Sequence, residues 1–76
     1  MALQLQASTL GAWKTVMTFD HGGEAMERVK QAVQELHAVS SGTSWRIATT
    51  FNPPKVLGHI GRNTYGLWIM RGELLL

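Results

Sequence analysis

The chain has no cysteine. Disulfide scaffolds, thiol catalysis and cysteine-based zinc ribbons are therefore excluded. Charge is also scarce, at 16% of 76 residues, with only five acids against seven Lys and Arg. That balance is too weak for a dedicated polyanion-binding module, although the isoelectric point is near 9.5. No run of 18 apolar residues occurs, so no spanning helix is expected. Residues 1–10 lack both a basic start and a continuous apolar centre, so no secretory leader is expected there. A reducing cytoplasm is the expected setting, and membrane binding is not expected. There are only two prolines, Pro53 and Pro54, and they are adjacent. Two neighbouring residues without an N–H interrupt any ladder, so they mark a turn.

What is present is apolar: 45% of residues are hydrophobic, three of them Trp. That supplies a core for one small α+β domain spanning residues 1–76 and is too rich for a disordered tail. A core of this size is thin, and a homodimer is one remedy for it.

The clearest pattern is helical and runs from about Gly23 to Val39. Ala25, Met26, Val29, Ala32, Val33, Leu36 and Val39 recur at threes and fours. Glu24, Glu27, Arg28, Gln31, Gln34 and Glu35 fill the opposite side. Asp20 or a neighbour is expected to cap the start, and Ser40-Ser41-Gly42 to stop the helix. Glu24 and Arg28 stand four apart in the favourable order.

Strands flank this helix. Leu3, Leu5 and Ala7 alternate with Gln4, Gln6 and Ser8, which is the period of a half-buried strand. Past Gly11 the run continues, with Trp13, Met17 and Phe19 assigned to one side. One bent strand is the favoured reading, with a turn at Gly11 as the alternative. Ser44 to Phe51 reads as a strand with Trp45, Ile47 and Phe51 inward. Val56 to Ile60 is a short strand, residues 61–64 a hairpin-type loop, and Tyr65 to Arg71 the last strand. Its apolar stretch Leu67–Met70 suggests either a strand packed on both faces or one whose outer face meets a partner. The expected fold is α+β: an antiparallel sheet of three to four strands, β-α-β-β in type, with one helix on one face.

No catalytic constellation emerges. His21, His37 and His59 lie too far apart for a metal-ligand spacing, and no serine sits in a nucleophile elbow. Gly22-Gly23 precedes the helix but lacks the Lys of a phosphate loop. The chain is expected not to be an enzyme and to need neither metal nor cofactor. The acidic helix face reads as solvated.

One helix leaves the second sheet face bare. Aromatic and Arg side chains in the C-terminal half are the types enriched in recognition surfaces. Arg46, Lys55, Arg62, Trp68 and Arg71 are the expected contact residues. The expected function is non-enzymatic: a binding protein that inhibits or occludes a larger protein or ribonucleoprotein complex. The alternative is a nucleic-acid-binding module that uses the same residues for stacking and phosphate contact.

The order of elements from about Trp13 to Arg71, strand–helix–strand–strand in a short chain without cysteine, resembles that of small phage-encoded inhibitors, anti-CRISPR proteins among them. The resemblance implies steric occlusion of a nuclease complex in a host cytoplasm. It transfers no individual residue. Many such inhibitors are acidic mimics of DNA, whereas this chain is basic.

Overall fold

The computed structural model describes residues 2–8, 11–22, 24–40, 42–61 and 64–70. In chain order the elements are β1 (Ala2–Ser8), β2 (Trp13–Asp20), α1 (Ala25–Val39), β3 (Ser44–Thr49), β4 (Val56–Ile60) and β5 (Ile69–Met70). The strands form one sheet in the order β2-β1-β3-β4-β5, and every pair is antiparallel. The fold is α+β as expected, with five strands rather than three or four.

The added strand comes from the N-terminal run. Residues 2–20 are not one bent strand. They are a hairpin in which Ala2 faces Asp20 and Ser8 faces Trp13. Gly11 sits in the connection with φ of 90°, a left-handed value that suits glycine. The irregularity in this region is a bulge further along. Leu5 faces Met17 while Gln6 faces Thr15, so Val16 is an extra residue in β2. Strict alternation fails there. Met17 and Phe19 share the face of Leu5 and Leu3, but Trp13 shares the face of Ser8. Trp13 is therefore on the opposite side of the sheet from Met17 and Phe19, contrary to the alternation reading.

The helix covers one face. Leu3, Leu5, Val33, Ile47, Ile60 and Trp68 form the core, with Phe19, Met26, Val29, Trp45, Leu57 and Met70 packed against it. Burying each large apolar side chain contributes about 1.5–3 kcal/mol. Val33 is the helix residue most deeply set. The helix begins at Glu24 without a side-chain cap, so Asp20 does not cap it. At its other end the Ser40 N–H donates to the Leu36 carbonyl at 3.0 Å. The Glu24–Arg28 pair forms at 3.4 Å but is solvated, and such pairs contribute little.

Two apolar assignments fail beyond β3 and β4. Phe51 lies past the end of β3 and is exposed. Among the described residues the last strand is only Ile69–Met70, at the sheet edge, and both residues are half-buried, so the reading as a strand packed on both faces fails. Tyr65 occupies a turn with φ of 56° and is 93% exposed. The apolar stretch divides. Trp68 turns into the core, Leu67 faces solvent, and Met70 packs over Gly58. Five strands at about 4.8 Å spacing are wider than one helix of about 10 Å. The opposite sheet face has no covering element among the described residues.

Candidate functional site

The uncovered face is built by register. Residues directly opposed in a ladder share a face. Gln4 faces Thr18 and Ala48, Gln6 faces Thr15 and Arg46, and Arg46 faces His59 across β4. A second bulge skips Leu57, which places Val56 opposite Ala48 on this same face and leaves Leu57 for the core. The result is a surface rich in amides and hydroxyls, with one guanidinium near its centre.

Arg46 is held on several sides. Its Nε donates to Gln6 Oε1 at 2.6 Å. Its guanidinium carbon lies 4.1 Å from the centroid of the Trp13 ring. Such stacking contributes about 0.5–1 kcal/mol at exposed sites. Gln6 is fixed in turn. Guanidinium offers no acceptor, so the Gln6 carbonyl must face it and the amide nitrogen must point away. That nitrogen approaches Gln4 Oε1 at 3.4 Å and Thr15 Oγ1 at 3.5 Å. The Thr15 hydroxyl donates to Gln4 Oε1 at 2.8 Å, and Gln4 Nε2 donates to the Thr49 carbonyl at 2.8 Å. The chain of bonds runs from the backbone of β3 through two amides back to Arg46. Among the described residues the terminal guanidinium nitrogens donate to nothing.

Beside this pair is an open groove of about 230 Å³. Trp13, Ser44, Arg46, Val56 and His59 line it, together with parts of Trp45, Ile60 and Gly61. No acid lines it. Asp20 stands on this face at the far end of β2, opposite Ala2. Glu24 and Glu27 lie at the start of the helix, and Glu35 lies further along it. Among the described residues, no group of three or more His, Asp or Glu side chains gathers where a metal could sit.

The expected contact residues separate. Arg46 is on the face and is its best-ordered cation. Lys55 is exposed in the turn after β3, where its N–H donates to Thr49 Oγ1 and its carbonyl accepts from the Thr49 N–H, both at 2.9 Å. Trp68 is in the core at 9% exposure, with its indole N–H donating to the Lys30 carbonyl at 2.9 Å. It supports the helix and does not present a surface. Arg62 and Arg71 lie outside the described residues. Sequence reasoning does not place Trp13, Gln4, Gln6, Thr15 or His59 at a site. The adjacent apolar pair Val16-Met17 is the signal that would have moved Trp13.

The helix side holds a second hollow of about 340 Å³ between β2 and α1. Leu5 and Val33 form its floor, and Val16, Met17, Val29 and Leu36 form its walls. It is almost wholly apolar. Trp45 borders it and carries an indole nitrogen that is buried without a partner among the described residues.

No protein family, curated protein or solved structure matches the chain.

Proposed function

We propose that this protein is a non-enzymatic binding protein that occludes a surface of a larger protein or ribonucleoprotein complex through the uncovered face of its sheet. One observation carries this reading. A guanidinium is immobilised on that face by stacking and a side-chain hydrogen bond, and its remaining donors are unused. Ordering a long side chain costs conformational entropy. A surface that has met this cost before contact binds with less loss, which is the advantage of preorganisation. Steric occlusion is the mode of the small phage inhibitors whose element order the chain resembles, and inhibition of a nuclease complex is the specific form proposed.

A photo-crosslinking residue at Thr18 or His59 tests the reading in extract from the source cell. Both side chains are exposed and belong to the uncovered face. The expected result is one crosslinked macromolecule from these positions and none from Gln31 on the exposed side of the helix. Equal crosslinking from all positions, or crosslinking from Gln31 alone, refutes the proposed face.

A further inference from the structure

We propose that the groove beside Arg46 is a socket for a single carboxylate, the Asp or Glu side chain of a protein partner. This inference rests on the reading of the uncovered face given above and names the chemistry it recognises.

Three observations lead to it. First, the Arg46 fork is oriented and half spent. Nε is taken by Gln6 at 2.6 Å and one flat face by Trp13 at 4.1 Å. The remaining freedom is in the plane of the two terminal nitrogens, the geometry that grips a carboxylate through two parallel bonds. Second, further donors share the groove. His59 is the direct cross-strand neighbour of Arg46 and offers a ring N–H, and Ser44 offers a hydroxyl on the same face. Neither side chain donates a hydrogen bond among the described residues. Third, no acid lines the groove, so its donors have no internal competitor.

The cations of the described lining favour one class of anion. A protein that tracks a nucleic-acid backbone neutralises several phosphates with several Lys and Arg. On the described part of this face Arg46 is the one arginine, with no lysine beside it in the groove. The guanidinium already covers one side of the Trp13 ring, which leaves at most one face for a base. One fork with flanking neutral donors suits one carboxylate on a protein surface.

The test is a titration of the whole chain followed by ¹H–¹⁵N spectra that include the Arg46 Nε–Hε signal. The probes are acetyl-Gly-Glu-Gly-amide, its Gln counterpart and an oligothymidylate. The glutamate peptide is expected to shift Arg46 Nε–Hε and the Ser44 and His59 amides saturably, and the glutamine peptide to leave them in place. Arg46→Lys keeps the charge and loses the fork, and should weaken binding about tenfold or more, the value of one charge-assisted hydrogen bond. His59→Gln, at an exposed position, should weaken it severalfold with the fold intact. Equal shifts from both peptides overturn the proposal, as does no shift from either. Shifts from the oligothymidylate alone, fading steeply with salt, overturn it in favour of a nucleic acid. If Thr18 crosslinks a partner while the glutamate peptide fails, the face stands and the socket falls. If Thr18 also fails, both fall.

Discussion

The indole N–H of Trp68 donates to the carbonyl oxygen of Lys30 at 2.9 Å, tying the segment before the last strand to the middle of the helix. Lys30 stands at the half-buried side of α1, and Trp68 is sealed beneath it at 9% exposure. Trp68→Phe keeps most of the apolar area and loses this bond, and should cost about 1 kcal/mol. Trp68→Ala should cost about 3–5 kcal/mol, a large share of what so small a domain can hold. Urea unfolding followed by far-ultraviolet circular dichroism measures both. An unchanged midpoint in Trp68→Phe would show that the bond contributes nothing.

Trp13 and Arg46 invite a double-mutant cycle. Trp13→Ala, Arg46→Ala and the double variant should reveal a coupling of about 0.5–1 kcal/mol, the range for an exposed cation–aromatic contact. Gln6→Ala should couple to Arg46 more strongly, about 1.5–3 kcal/mol, because that bond involves an ionised donor. Denaturant unfolding of the variants gives these values. Strict additivity between positions 13 and 46 would mean that the stack is incidental.

Gly58 lies beneath Met70 in the β4–β5 ladder. A Cβ at this position would overlap the Met70 sulfur and sit 3.2 Å from the Ile69 carbonyl oxygen. Gly58→Ala should destabilise the domain by about 1–3 kcal/mol, the usual cost of overpacking. Met70→Ala in the same chain should recover part of that loss and not all of it, since the backbone oxygen stays. Thermal unfolding of the two single variants and the double variant reads this directly. Full additivity would count against the sulfur contact.

The helix was the most readable element, because its apolar repeat is long and unbroken from Ala25 to Val39. Its covered face and the bare face opposite followed from chain length and element order. The site was harder to see. Arg46 is legible as a cation beside an aromatic strand, but period-two counting does not register the bulge at Val16 and so puts Trp13, its platform, on the other side. Trp68 stands among the expected contact residues because four consecutive apolar residues, Leu67 to Met70, do not say which will turn inward. The polar repeat Gln4, Gln6 was plain in the sequence. That these amides would position an arginine forty residues away depends on strand pairing, which local pattern does not contain.

Val16 is one residue too many for its partner strand, and this surplus puts the two halves of β2 half a pleat out of phase. The guanidinium has an indole to rest on only because of that shift. The surface chemistry of the domain thus depends on a count as well as on identities. The same residues paired in unbroken register from Met17, with Val16 opposite Gln6 and Thr15 opposite Ala7, would turn the tryptophan toward the helix and leave the arginine without its platform.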